Sequence, residues 1–447
     1  MNKDVFCIHP WSAITINPQG DFRVCCFSGE NSGVEYFDHN IVVKNNRGLA
    51  NDDNEKRMNV LTTPLTNVLN SKIHKEIRKH QIENKRHPAC NICWTRDDAA
   101  KEMVKKTGQY VSSNSMRIAD SFGKKFDINL SQENFKTSDD GTLDFPVLLS
   151  LDIRFDNLCN MKCIMCQPTY SNLWYEDWIK LHNTTTFNRG PDKFNIIQKE
   201  NGNYTTDFID WQNSDIWWKQ VDEIKHNLRH LYITGGEPFL SKSHNKLLDI
   251  LIKDDFAKNI TLEYDTNMSV INPKIINQLN EFKKIVIRMS IDDTEERYEL
   301  IRFPGKWQTL IKNIETLEKS EIYNKIELSI ALCLGTYSLF SPLRVYSKFG
   351  KKYHINTRLL EWPGEYDIKY LSSNMKKKII DVYDKADIPV NTKSLIVGHL
   401  TKTLNQINDK KSKKHIEYFY SRMNKLDEIR GTNWKKTFPE IVSLLET

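Results

Sequence analysis

Apolar and polar positions along the chain change their rhythm near residue 147. Beyond it, short runs rich in Val, Ile and Leu recur: VLLSLDIRF (147–155), LRHLYITGG (228–236), ITLEYDTN (260–267), IVIRMSID (285–292), IELSIALCL (326–334) and INTRLLEW (355–362). Runs of this length, rich in β-branched residues and bounded by turn formers, predict strands. Segments with apolar residues three to four apart separate most of them, such as HNKLLDILIKDD (244–255) and WQTLIKNIETLEKS (307–320), and these predict helices. Strands alternating with helical crossovers predict an α/β fold with a parallel sheet, open or curled into part of a barrel. The gap between the first two strands is long and holds Trp174, Trp178, Trp211, Trp217 and Trp218, so extra structure is expected there. From about Tyr370 onward the pattern is helical and lysine-rich.

Ahead of residue 147 the pattern is more broken. AITINPQGDFRVCC reads as a hairpin turning at Asn17-Pro18-Gln19-Gly20, residues 31–60 are polar and irregular, and residues 64–86 predict a helix. A polar stretch from Asp120 to Asp144 reads as a linker. The expected organisation is an N-terminal unit over 1–119, a linker over 120–146, an α/β unit over 147–370 and a helical extension over 371–447.

Composition narrows the class. Hydrophobic content of 39% with 11% aromatic residues supports packed cores over 447 residues, which excludes wholesale disorder. The formal charge of +6 permits an anionic partner without demanding one. The basic segments 71–87 and 408–415 carry little interleaved aromatic character, so they read as solvated faces and nucleic acid is not a favoured partner. No apolar run approaches a membrane span, and the first twenty residues lack the apolar stretch of a secretory peptide, so no membrane partner and a cytoplasmic location are expected. In that reducing compartment the nine cysteines read as metal or redox ligands and not as disulfides.

Three of them, Cys159, Cys163 and Cys166, follow directly after the first α/β strand in LCNMKCIMC. Ligand sites in parallel α/β folds collect at this end of the strands. A closed structural zinc cage usually takes four ligands. Three thiolates can instead hold three irons of a 4Fe–4S cluster and leave the fourth open to an amino-acid ligand. The C-x3-C-x2-C spacing after the first strand resembles the signature of the radical S-adenosylmethionine enzymes. That resemblance implies a partial (βα)6 TIM-like barrel, a 4Fe–4S cluster on these three cysteines and S-adenosyl-L-methionine at the open iron. It also places Met165, the residue before the last cysteine, near the adenine, a position often aromatic in the family.

Later strand ends add to the resemblance. Gly235-Gly236-Glu237-Pro238 matches the family's GGE-P segment, which implies contact between Glu237 and the methionyl amino group. Asn267, Ser290 and Asp292 stand where the family places ribose and carboxylate contacts, and RYELIRFPGKW resembles the segment that follows this strand in related branches, which implies a carboxylate contact for Arg302. Taken singly, each of these residues reads equally as a strand-end cap or a surface ion pair. Cys333 lies inside an apolar strand pattern and reads as a small core residue.

The N-terminal cysteines form a second set. Cys7-x12-Gly20-x4-Cys25 with Cys90-x2-Cys93 resembles the twitch and SPASM auxiliary-cluster domains, which implies a second 4Fe–4S cluster on Cys7, Cys25, Cys90 and Cys93. Adjacent Cys26 leaves the choice between Cys25 and Cys26 open, and a zinc site on the same four thiolates, or with His9 or His87 in place of one, is the alternative. Pro10-Trp11, the Gln167-Pro168-Ser171-Trp174-Glu176 run, and Leu426-Asp427, Arg430-Gly431 and Phe438-Pro439-Glu440 extend the resemblance to a branch in which this domain precedes the barrel. The expected function is reductive cleavage of S-adenosylmethionine to a 5′-deoxyadenosyl radical that abstracts hydrogen from a peptide, in oxidative modification or cross-linking. A small-molecule oxidoreductase, a nucleic-acid-modifying radical enzyme and a metal-stabilised binding protein are the alternatives. A reductant such as flavodoxin or ferredoxin is the implied partner.

Overall fold

The structure, a computed structural model, describes residues 5–28, 49–107, 136–189 and 192–447. Most of the expected linker, 120–135, lies outside the described residues, as does much of the irregular stretch, 31–48. The described end of the linker makes a tight turn, closed by the Ser138 N–H donating to the Thr142 carbonyl. It docks on the N-terminal unit, where buried Arg78 donates through Nε to the Gly141 carbonyl, 2.6 Å away.

The N-terminal hairpin forms as the turn residues predict. Strand β1 (Ala13–Ile16) pairs antiparallel with β2 (Phe22–Arg23). The Asn17 side-chain oxygen accepts from the N–H groups of Gln19 and Asp21, and Gly20 takes a φ of 82°, where a side chain would be strained. The single helix expected over 64–86 is two, Leu65–Val68 and Lys72–Ile82. Ser71 adopts extended backbone between them, because Asn and Ser compete for backbone hydrogen bonds better than they extend a helix.

The α/β region supplies six parallel strands: β3 (Ser150–Ile153), then, beyond an insertion, β7 (His230–Ile233), β8 (Thr261–Thr266), β9 (Lys284–Ser290), β10 (Ile326–Leu334) and β11 (His354–Leu359). The insertion holds helix Trp174–His182 and a small antiparallel sheet of β4 (Thr186–Arg189), β5 (Asp192–Gln198) and β6 (Tyr204–Thr206), which close over Trp178, Phe187 and Phe194. The tryptophan-rich gap is therefore structured as expected.

What the pattern did not predict is the join between the two units. Strand β1 pairs in parallel with β3, with Thr15 opposite Asp152, so the hairpin continues the main sheet in the order β11-β10-β9-β8-β7-β3-β1-β2. Outward-facing positions such as Leu262, Tyr264, Ile287, Ile330 and Leu332 are fully buried. On the helix side, Tyr264 meets His244 of helix Lys242–Lys253, with its hydroxyl 2.9 Å from His244 Nε2. The opposite face of the same strands carries Asp152, Tyr232, Glu263, Asp265, Arg288 and Arg358, which line a polar lumen. Helices Ser373–Lys385, Val390–Lys402 and Asp409–Arg430 make up most of the C-terminal region, as the lysine-rich helical pattern predicts. Among the described residues no helix is long and apolar enough to cross a membrane.

Candidate functional site

The cysteine loop leaves the C-terminal end of β3 and is held by backbone bonds through its middle. The Lys162 and Ile164 N–H groups donate to the carbonyls of Phe303 (2.6 Å) and Ile301 (2.9 Å). Residues just downstream fix the rest: Asn172 Oδ1 accepts from the Cys159 N–H, Ser171 Oγ donates to the Met161 carbonyl, and Trp174 Nε1 donates to the Cys163 carbonyl, 2.9 Å away. Ser171 and Trp174 thus serve the loop by shaping it. Gln167 Oε1 accepts from Trp362 Nε1 at 3.0 Å, which brings the end of β11 to the same mouth.

The three thiols are free. Burial pushes all three up, Cys159 to about 12; the neighbouring thiols add to this at Cys159 and Cys166, while the Arg302 guanidinium opposes it at Cys163. Thiols crowded in this way ionise only when a positive charge is brought among them. Donors already point at the sulfurs. Arg302 Nη1 lies 3.8 Å from Cys163 Sγ, Asn267 Nδ2 lies 4.0 Å from Cys159 Sγ, and the Met161 N–H lies 3.4 Å from the same sulfur. Such a donor set suits thiolates that ligate a cluster.

Strand β7 ends in the glycine pair. The Gly236 and Glu237 N–H groups donate to the carbonyls of Asp156 (3.4 Å) and Leu158 (2.8 Å), so this segment lies directly against the entry to the cysteine loop. A Cβ at Gly236 would run into the Leu158 carbonyl, and Gly235 holds a φ of 118°. The Glu237 carboxylate is buried. It accepts from Thr266 Oγ1 at 2.7 Å and the Asn267 N–H at 2.8 Å. Burial pushes its pKa up to about 7 against those bonds.

Asn267 also donates to Asn160 Oδ1 inside the cysteine loop, at 3.0 Å. Ser290 ends β9, and Asp292 just beyond it is fully buried. Asp292 Oδ1 accepts from the Cys333 N–H at 2.8 Å, while Oδ2 lies 2.8 Å from Arg302 Nη2. Arg302, expected from the sequence as a cofactor carboxylate contact, is placed between Asp292 and the Cys163 sulfur. Met165 is half-buried at the edge of the core. Cys333 departs from its reading as a core residue. It lies on the lumen face, among Asp292, Arg302 and Arg358. Strand β10 alternates, and Cys333 is out of phase with buried Leu332 and Leu334.

The N-terminal cysteines meet across the hairpin and the short helix that follows His87. Cys7, Cys25, Cys90 and Cys93 line one small cavity with His9, Phe27 and Trp94. Among the described residues no three Cys, His, Asp or Glu side chains are placed to hold a single metal ion. Cys26 is absent from the cavity lining, and its charge is felt by Arg154 and Tyr232 of the lumen.

Sequence reasoning missed the lumen residues Arg154, Tyr232, Asp265, Arg288 and Arg358, and also Lys162 and Asp177. The signal was available. Buried parallel strands are usually apolar throughout, and LEYDT and LDIRF carry charges at every second position.

Two family models match the chain: the radical SAM superfamily over residues 153–336, and SPASM, an iron–sulfur cluster-binding domain, over residues 7–94. No curated protein matches it. Similar solved structures include native anSMEcpe with bound AdoMet, at 19% identity and TM-score 0.34, covering 51% of this chain and 57% of that one. Streptococcus suis SuiB bound to its precursor peptide SuiA is similar at 15% identity and TM-score 0.33, covering 75% of this chain and 65% of that one. The chain thus spans 57% of the first of these structures.

Proposed function

We propose, since the chain belongs to the radical SAM superfamily and carries an iron–sulfur SPASM domain ahead of its barrel, that it is a radical S-adenosylmethionine enzyme acting on a peptide, by oxidative modification or cross-linking. The observation that carries this reading is convergence at one end of the sheet. Three free thiols, the Glu237 carboxylate and the Arg302–Asp292 pair gather where β3, β7, β8 and β9 end.

Cys159, Cys163 and Cys166 would hold the catalytic cluster. When bound there, a 4Fe–4S cluster and S-adenosylmethionine supply a 5′-deoxyadenosyl radical that abstracts hydrogen from substrate. The chain's own residues prepare the place. Arg302 and Asn267 direct N–H donors at two of the sulfurs, which offsets thiolate charge in a low-dielectric setting. Gly235 and Gly236 let the β7 exit lie against the entry to the cysteine loop, and Thr266 and the Asn267 N–H fix the Glu237 carboxylate there to accept from an ammonium group. Ser290 and Asp292 stand at the next strand end for ribose or carboxylate contacts, and Met165 for the adenine face.

Cys7, Cys25, Cys90 and Cys93 would hold the auxiliary cluster. Supporting this choice, these four line one cavity while Cys26 does not. We place the auxiliary unit at 1–119, the barrel at 147–370 and the helical extension at 371–447. A flavodoxin or ferredoxin would supply the electron.

The test is made on anaerobically purified protein. About eight irons per chain are expected for two four-iron clusters. Dithionite-reduced protein should form 5′-deoxyadenosine from S-adenosylmethionine, and a folded Cys163→Ala protein should form none. A fully loaded wild type that forms no 5′-deoxyadenosine sinks the reading, and about four irons per chain removes the auxiliary cluster. Peptide mass spectrometry showing loss of a hydrogen pair would establish the substrate class.

A further inference from the structure

Strand registers stack the lumen side chains in layers. Asp152 stands level with Tyr232, Asp265 with Arg288, and Ser290 with Ala331 and Asn356. One layer nearer the C-terminal ends, Cys333 and Arg358 stand side by side. The Cys333 backbone is bonded to Asp292, and Asp292 pairs with the arginine that reaches Cys163. Arg358 therefore lies one strand away from the groups that touch the cysteine loop.

The acids of the lumen already have direct partners. Asp152 accepts from Arg154 and from Thr15 Oγ1, both at 3.0 Å. Glu263 accepts from Arg288 and lies 3.0 Å from His230 Nε2. Asp265 accepts from Arg288 Nε and from the Tyr232 hydroxyl, both at 2.5 Å. Asp292 has Arg302. Arg358 alone of these lumen arginines makes no hydrogen bond and no ion pair with any described residue, although its side chain is half-buried. Asp265, Tyr232, Arg288 and Cys333 face it without bonding to it.

A guanidinium cannot escape burial by losing its proton, so five donors are left to be met. A planar oxyanion meets them through paired N–H bonds. Charge chooses among oxyanions. One unpaired cation balances one negative charge, while a phosphate dianion would add repulsion from Asp265 and Asp292.

We propose that Arg358 is a carboxylate-binding residue of the lumen, and that the substrate presents a side-chain or terminal carboxylate to it, as an acidic peptide does. This rests on the lumen being the reaction chamber of the proposed enzyme. Held there, the carboxylate would orient neighbouring C–H bonds toward the cysteine loop, so Arg358 is a substrate-positioning residue.

The probe is propionate, followed by saturation-transfer difference NMR on the anaerobically purified full chain without S-adenosylmethionine. This measurement does not depend on cofactor cleavage, so its failure is separable from failure of the proposed function. Wild type is expected to bind propionate at least about tenfold more tightly than Arg358→Gln, with Arg358→Lys in between because it keeps the charge and loses the paired geometry. Inorganic phosphate should compete poorly with propionate on the wild type. Propionate binding that is unchanged in both variants would overturn the proposal, as would displacement by phosphate at concentrations below those of propionate. The Lys variant and the phosphate competition on wild type keep the test decisive where the Gln variant does not fold.

Discussion

His244 packs against Phe239 and Tyr264, and burial pushes its pKa down to about 3. In the unfolded chain a histidine takes up its proton near pH 6.5. Between those values unfolding binds a proton, so the stabilising contribution is whole above pH 6.5 and is lost as pH falls. The stability advantage of wild type over His244→Gln should shrink by about 1.4 kcal/mol between pH 7.5 and pH 5.5, read from urea unfolding at each pH. A constant gap would show that the imidazole takes up its proton at the same pH in the folded and unfolded protein. Near the cysteine loop, residue identity matters differently. Ser171 and Trp174 were legible as motif residues, yet their bonds to the loop carbonyls emerge only from packing.

At the scale of elements, the approach of the β7 exit to the β3 exit builds the site. Glu237 reaches Thr266 and Asn267 only because Gly236 lets its backbone lie on Leu158, whose carbonyl carbon would be 2.7 Å from an added Cβ. Since the obstacle is backbone, it cannot swing aside. Gly236→Ala is therefore expected to reduce iron content at the cysteine loop and to abolish 5′-deoxyadenosine formation, with a stability loss of about 1–3 kcal/mol. Wild-type iron content and activity in this variant would show that the close approach is dispensable. The strands were legible, since a short apolar run between turn residues leaves few choices. The split at Ser71 was not anticipated, because it depends on which partner each backbone group meets, whereas the charged lumen face was written in alternating charges that were not read.

At the scale of the molecule, the C-terminal helix is tied to the cysteine loop. Arg430, at the end of helix Asp409–Arg430, donates through Nε to Asp177 at 2.7 Å, and Lys162 of the loop donates to the other oxygen at the same distance. The guanidinium also lies over Trp174, 4.8 Å from its ring centre. Arg430 and Asp177 are both almost wholly buried. Removing one partner of a buried pair is costly, so Arg430→Met should lower stability by about 3 kcal/mol. It should also loosen Lys162 and reduce iron retention, which iron analysis after desalting would reveal. Unchanged stability and iron content would mean that the extension does not support the loop.

The sequence by itself determined the periodic elements, the two cysteine sets and the glycine-rich strand end, because spacing along the chain dictates what can sit at one strand end or across one turn. Tertiary structure decided the rest. It joined the N-terminal hairpin to β3, set Cys25 and not Cys26 in the lining of the auxiliary cavity, moved Cys333 from core to lumen, and left Arg358 unpaired. Those outcomes depend on which of two faces a strand turns inward and on which distant charges then meet. Strand pairing fixes that, and local pattern does not.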